Sequence, residues 1–326
     1  MARVAVLDDW QGVAASLADW SALQARAEVV FFREAIAEAD ALVAALAGFD
    51  VVLAMRERTA LPGSTIRRLG DLRLLTFTGA ANAAVDVAAC TAQGVLVCNT
   101  VSRTPRYGTA ELAFGLLLAC ARLIPEADGR IRAGGFQDGI VPGVDLLGGT
   151  LGIVGLGRLG SRMARYAQAF EMEVIAWSQN LTEERARELG VARVGKDELF
   201  SRADALSIHL VLSPRSRGLV GAAELGRMKR GAILINTSRG PIVDEAALLA
   251  ALHEGRIVAG LDVYGTEPLP AGHPLRSAPN TVLTPHLGYV TQQTLAQMYS
   301  ACIENIMAWL DGAPINVVNP QVRAAT

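Results

Sequence analysis

At 326 residues, with 51% hydrophobic but only 5% aromatic residues, the chain is long enough for two domains with large cores, and the balance favours an Ala-, Val- and Leu-rich α/β enzyme over an aromatic-heavy β sandwich. Its 30 basic and 32 acidic residues are well mixed, for a net charge of −2, which leaves no field of one sign to steer nucleic acid or an anionic membrane. Cys90, Cys98, Cys120 and Cys302 show no CxxC spacing and read as reduced, buried thiols of a cytoplasmic protein. The histidines (His209, His253, His273, His286) do not pair at ligand spacing, so no metal is expected.

The chain opens on a strand-like run, Arg3–Leu7, that leads into Asp8 and Asp9 and does not resemble a signal peptide. Further strands are predicted at Val29–Phe32, Val51–Met55, Leu74–Thr78 and Val95–Cys98, with helices between them at Trp10–Arg26 and Asp40–Ala47. Strands alternating with helices imply parallel βαβ units. Thr109–Arg122 reads as one long apolar helix crossing into a second domain; its apolar stretch, Leu112–Ala121, is too short to span a bilayer. The alternation then resumes with strands at Leu151–Val154, Glu173–Trp177, Ala205–His209, Ala232–Asn236, Val258–Val263 and Thr281–Thr284. A helix at Asp244–Glu254, capped by Asp244, falls among them. Thr291–Leu310 is a last helix with no strand left to follow it, so it is expected to carry the chain back to the first domain, with Pro314, Asn319 and Pro320 on that domain's surface. The expected domains are therefore 1–100 with 291–326, and 101–290.

The most informative segment is Gly155-Leu156-Gly157-Arg158-Leu159-Gly160, directly after the apolar run Leu151–Val154. The first glycine allows a tight turn, the second lets a pyrophosphate approach the backbone, and the third lets the next helix pack closely. Orphan N–H groups and the positive dipole end of that helix suit a diphosphate. Three polar residues follow later strands: Arg239 after Ala232–Ser238, Glu267 after Gly260–Thr266, and His286 after Thr281–Pro285. Strand C-terminal ends are where a doubly wound sheet binds its ligand. Arginine presents a planar fork to a carboxylate, and histidine passes a proton near neutrality. A carboxylate beside an imidazole favours the charged ring and fixes its orientation. Taken singly, Arg239 reads as a solvated loop charge, Glu267 as a turn cap before Pro268 and His286 as a structural residue.

In order and spacing, Gly155–Gly160, Asn236-Thr237-Ser238-Arg239-Gly240, Leu261-Asp262-Val263 with Glu267-Pro268, and Pro285-His286-Leu287-Gly288 resemble the D-isomer-specific 2-hydroxyacid dehydrogenases, a family that includes phosphoglycerate dehydrogenases and glyoxylate/hydroxypyruvate reductases. The resemblance runs over essentially the whole chain. It implies an α/β fold of two doubly wound parallel-sheet domains, a Rossmann nucleotide domain inserted in a discontinuous flavodoxin-like substrate domain, and a homodimer. It implies reversible hydride transfer between a nicotinamide cofactor and a small 2-hydroxy or 2-keto acid, with Arg239 on the substrate carboxylate, His286 as acid/base and Glu267 as its partner. Cofactor contacts are implied for Gly155, Gly157, Arg158, Leu159, Gly160, Ser178, His209, Thr237, Ser238, Gly288, and Asp262, the last at the nicotinamide carboxamide. Arg56 and the turn Gly79-Ala80-Ala81-Asn82 resemble the substrate side, with Gly79, Ala80 and Asn82 in a loop that offers backbone N–H groups to a carboxylate.

The pattern departs from the family in two places. An NAD-selecting acid is expected about 20 residues past the glycine motif, but Trp177-Ser178-Gln179-Asn180 carries none. No arginine follows Ser178 directly either, so the reading leans modestly to NADP over NAD, with Arg158 a candidate for reaching a 2′-phosphate. Tyr289 stands where many members have a small residue, and it is expected to flank the nicotinamide pocket or to pack on the last helix. Two alternatives are weighed: a formate- or phosphite-type enzyme, against which Glu267 argues, and a nucleotide-sensing binding protein or corepressor that binds cofactor and turns over poorly.

Overall fold

The computed structural model describes residues 1–101, 104 and 106–322. Two compact units divide the chain: Met1–Arg106 with Thr291–Thr326, and Tyr107–Val290.

The first unit is built on β1 (Ala2–Val6), β2 (Ala27–Phe31), β3 (Val51–Ala54), β4 (Leu74–Phe77) and β5 (Leu96–Cys98). They form one parallel sheet in the order β2-β1-β3-β4-β5, the flavodoxin-like arrangement. Helices cover both faces of a parallel sheet, so its central strands are apolar throughout; every residue of β3, β4 and β5 is buried.

The predicted helix Trp10–Arg26 is instead two short helices, Ala14–Leu17 and Ser21–Gln24. Gly12 lies at φ +66°, and Ala18 is extended between the two helices. Trp20 turns inward there, its indole N–H donating to the Ala14 carbonyl at 2.8 Å.

Helix Gln292–Leu310 returns the chain to this unit, capped by Thr291. The fully buried Asn305 pins it, its amide donating to Thr76 Oγ1 at 3.0 Å and to the Asn99 carbonyl at 2.8 Å. Asn319, expected on the surface, is buried: its carbonyl accepts from the Val97 N–H at 2.7 Å and its amide donates to the Val95 carbonyl at 3.0 Å. An asparagine presents a donor and an acceptor like a peptide group, so it can cap an unpaired strand edge.

The second unit holds β6 (Thr150–Val154), β7 (Glu173–Trp177), β8 (Ala192–Arg193), β9 (Ala205–Ile208), β10 (Ala232–Asn236), β11 (Ile257–Leu261) and β12 (Thr281–Leu283). All its pairings are parallel, in the order β12-β11-β10-β9-β6-β7-β8, with the direction of winding reversing between β6 and β9. β8 escaped prediction because its two residues are both exposed and carry no pattern.

Helix Gly108–Ala121 lies on this sheet, close enough that a Cβ on Gly260 of β11 would stand 3.0 Å from Leu116 Cβ. A second helix, Ile124–Arg132, follows a left-handed Leu123 and was not predicted. Asp244 caps helix Glu245–His253 as expected, accepting from the Ala247 N–H at 2.9 Å. Among the described residues no single helix is long and apolar enough to cross a membrane.

Candidate active site

The glycine motif forms the link between β6 and helix Arg158–Ala169. Gly155 has φ +99°, and a Cβ there would meet the His209 carbonyl oxygen at 2.8 Å. A Cβ on Gly160 would stand 2.1 Å from the Gly155 oxygen. Both glycines are thus required by packing. Gly157 differs, since a Cβ there would meet nothing within 4 Å. It is the N-cap residue and supplies no side-chain cap, so no side chain at 157 stands over the N-terminal turn of the helix. That suits a dinucleotide diphosphate. A second sign of fit lies on the Asn236–Arg239 loop, where the Thr237 hydroxyl is buried without a hydrogen-bond partner among the described residues.

Arg239, Glu267 and His286 follow β10, β11 and β12, three adjacent strands. Asn236, 1% exposed, braces the first of these loops: its amide donates to the Arg239 carbonyl at 3.0 Å and its oxygen accepts from the Ser238 N–H at 3.0 Å. The Ser238 hydroxyl donates to the Leu210 carbonyl, so it too holds the loop. Gly240 lets the second loop come against the first, because a Cβ there would stand 2.1 Å from the Tyr264 carbonyl carbon.

Glu267 accepts from the Tyr264 N–H at 2.9 Å and meets His286 Nδ1 at 2.5 Å. A carboxylate can only accept, so Nδ1 carries the hydrogen and Nε2 is left for proton exchange. Burial pushes the Glu267 carboxyl up. The hydrogen bond and charge of His286, the Tyr264 N–H and the charge of Arg239 outweigh it, and the group lies below its ordinary 4.5. It is therefore ionised at neutral pH. His286 itself sits at φ +55°, an uncommon backbone conformation for a residue other than glycine and one found at functional sites. Tyr289 stands edge-on to it, with ring centroids 5.7 Å apart.

Asp262, expected at the nicotinamide carboxamide, lies at the end of β11 and accepts hydrogen bonds from the loop after β12. It is fully buried and accepts from Thr284 Oγ1 at 2.6 Å, the Leu287 N–H at 2.7 Å and the Gly288 N–H at 2.8 Å. Its carboxylate therefore ties down the loop that carries His286. Burial raises its pKa, more than the three donors and the His286 charge lower it. Gly288, expected against the cofactor, has its backbone fixed: its N–H donates to Asp262 and its carbonyl accepts from Thr109 Oγ1 at 2.9 Å.

His209 follows β9 with its Nε2 2.9 Å from Ser207 Oγ, and burial pushes it down to about 4, so the ring is neutral at physiological pH. Ser178 stands one residue past β7, half-buried. Arg158 points to Tyr107, its guanidinium carbon 5.8 Å from the ring centre.

In the five-stranded unit, Arg56 (φ +53°) receives a bond to its carbonyl from the Asn82 amide and donates its N–H to Thr78 Oγ1 at 2.8 Å. Its guanidinium lies over Gly79, where a Cβ would stand 2.0 Å from Nη1. Gly79 was expected to offer its N–H to a carboxylate, but that group already donates to Thr100 Oγ1 at 2.7 Å. Asn82 Oδ1 accepts from the Ala84 N–H at 2.9 Å. The Ala80 carbonyl accepts from the Asn99 amide at 2.9 Å, so of the two residues it is Ala80 whose N–H the described hydrogen bonds leave unused.

Residues 114–288 match the family model for the D-isomer specific 2-hydroxyacid dehydrogenase NAD binding domain, which is more than half of the chain. The chain belongs to this family. It is accordingly a nicotinamide-dependent oxidoreductase acting on the CH–OH group of a 2-hydroxy acid or, in reverse, on the carbonyl of a 2-keto acid. It is 42% identical to a glyoxylate reductase of Aeropyrum pernix over 247 residues, 73% of each chain. It is 34% identical to a D-3-phosphoglycerate dehydrogenase of Archaeoglobus fulgidus over 82% of this chain but 51% of that protein. A solved structure described as a putative D-3-phosphoglycerate dehydrogenase from Ralstonia solanacearum superposes with a TM-score of 0.93 at 34% identity, covering 100% of this chain and 99% of that one.

Sequence reasoning missed Asn236 and Gly240, which aim the Arg239 and Glu267 loops. Both belong to the motif Asn236-Thr237-Ser238-Arg239-Gly240, but their part depends on the loops they brace and bring together.

Proposed function

We propose that this dehydrogenase acts as a reductase of a small 2-keto acid of the glyoxylate or hydroxypyruvate kind, with NADPH preferred over NADH. The observation that carries this reading is the 2.5 Å pair between Glu267 and His286 Nδ1, with the charge of Arg239 in reach of the same carboxylate. The names and extent of the glyoxylate reductase relatives support the substrate class. When bound, the nicotinamide supplies the hydride that reaches the α-carbon. His286 gives its Nε2 proton to the carbonyl oxygen, Glu267 holds the ring by Nδ1 and stabilises its charged form, and Arg239 holds the carboxylate and polarises the carbonyl. The glycine turn (Gly155, Gly157, Arg158, Leu159, Gly160) and Thr237 are assigned to the cofactor, Asp262 and Ser238 to positioning, and Arg56, Ala80 and Asn82 to the substrate side.

The absence of an acid at 178–180 supports the NADPH preference. A homodimer is proposed on the exposed apolar side chains of Ile124, Ile131, Phe136, Val141, Val144 and Leu147, all within one stretch of chain. A cytoplasmic location is supported by four buried, unbridged cysteines.

The test follows nicotinamide absorbance with NADPH and NADH while glyoxylate, hydroxypyruvate, pyruvate and phosphohydroxypyruvate are added in turn. Rapid oxidation with one acid is expected, falling about 100-fold or more in His286→Asn. Tight cofactor binding with no turnover on any of the four would favour a nucleotide sensor, and near-normal turnover in His286→Asn would remove that residue from the mechanism.

A further inference from the structure

We propose that Arg215 is the residue that reads the adenosine 2′-phosphate, so that the choice between NADPH and NADH is made by the loop after β9 as well as by the end of β7. The inference rests on the dinucleotide reading given above and adds to it the side chain that selects.

The end of β7 is where a Rossmann sheet meets the adenosine ribose. Here it lies directly beside the glycine turn, since β6 and β7 pair in register through Val154 and Trp177 and the Gly155 N–H donates to the Trp177 carbonyl at 2.9 Å. The residues that follow, Ser178, Gln179 and Asn180, offer neutral groups and no carboxylate to repel a phosphate. The cation comes from elsewhere in the sheet. Arg215 Nη1 lies 3.4 Å from Gln179 Oε1, although its loop leaves β9, on the other side of β6 from β7. Two strand spacings are about 10 Å, so this side chain crosses above the end of β6 to reach the ribose side of the turn.

The loop fixes the backbone from which Arg215 projects. Ser216, 6% exposed, donates its hydroxyl to the Val211 carbonyl at 2.7 Å and accepts from the Ser213 N–H at 2.8 Å, while the Arg217 N–H donates to the Ser213 carbonyl at 3.0 Å. The backbone on both sides of Arg215 is thus closed on itself. Its contact with Gln179 is to a neutral amide, which leaves the charge of the guanidinium uncancelled by that partner. A phosphate replacing the amide oxygen would gain a planar, two-donor, charge-assisted contact.

Other nearby cations are committed differently. Arg193 Nε donates to the Leu181 carbonyl at 2.8 Å and its Nη1 pairs with Glu183 at 3.1 Å. Arg158, the candidate from sequence, points to Tyr107.

The experiment titrates the whole chain calorimetrically with adenosine 2′,5′-bisphosphate and with adenosine 5′-monophosphate, which differ only in the 2′-phosphate. The wild-type protein is expected to bind the bisphosphate at least about tenfold more tightly. Arg215→Ala should bring the two affinities together by weakening the bisphosphate alone, and Arg215→Lys should retain part of the preference. Persistence of the full preference in Arg215→Ala, or equal weakening of both ligands, would overturn the assignment. So would a preference lost in Ser178→Asp but intact in Arg215→Ala, which would place selection at the end of β7. A wild-type protein that binds NAD⁺ and NADP⁺ equally well overturns the Arg215 proposal and leaves the dinucleotide reading standing. One that binds neither nucleotide overturns both.

Discussion

Lowering the pH from 7.5 to 5.0 is expected to cost this protein stability through one half-buried imidazole. His209 lies behind the glycine turn, its Nε2 2.9 Å from Ser207 Oγ, and burial holds its pKa at about 4 against an ordinary 6.5. Between those two values the unfolded chain binds a proton that the folded chain refuses. The associated stability is therefore complete above about pH 6.5 and is lost as pH falls toward 4. At roughly 1.4 kcal/mol per pH unit the whole gap is worth about 3 kcal/mol, and about 2 kcal/mol of it is gone by pH 5. Glu267 acts in the same direction but in a lower window: its carboxyl is depressed below 4.5, so its contribution is lost only as pH falls beneath that value. The measurement compares urea unfolding at pH 7.5 and 5.0 for the wild-type protein and His209→Gln, whose amide can still meet Ser207. The wild-type loss should exceed that of the variant by about 2 kcal/mol with unchanged m-values. Equal losses in the two proteins, or a His209 ring that titrates near 6.5 by NMR, would refute the burial argument.

The glycine motif separates packing from ligand approach. Gly160→Ala forces a Cβ to within 2.1 Å of the Gly155 oxygen and should destabilise the fold by about 1–3 kcal/mol. Gly157→Ala meets no protein atom within 4 Å, so thermal denaturation should be unchanged while NADP⁺ and NAD⁺ both bind more weakly. A destabilised Gly157→Ala with normal binding would reverse this division. Asp262→Ala removes the acceptor of three hydrogen bonds and orphans the Leu287 and Gly288 N–H groups, at a cost of about 2–4 kcal/mol. Because that loop carries His286, kcat should fall by more than KM for the keto acid rises; an unchanged kcat in the folded variant would free His286 placement from Asp262.

The features legible in the sequence were those set by local geometry. Alternating apolar runs announced both parallel sheets, and Gly155, Gly157 and Gly160 announced the turn, because backbone angles and close packing of a strand-turn-helix unit depend on neighbours in the chain. Asp244 was readable as a cap for the same reason. Trp10–Arg26 misled because its apolar content fits a helix, while the inward indole of Trp20 divides it. Asn319 looked like tail and serves as a strand edge, which no pattern in its own segment signals. The types and order of Arg239, Glu267 and His286 named the chemistry, but not the 2.5 Å pairing, the fixed ring nitrogen or the turning of Asp262 toward the His286 loop. Those depend on β10, β11 and β12 lying side by side, as the reach of Arg215 to Gln179 depends on β9 and β7 flanking β6. Strand order is a property of the whole sheet. Side chains at strand ends can be named from sequence, but their partners are chosen by which strands become neighbours.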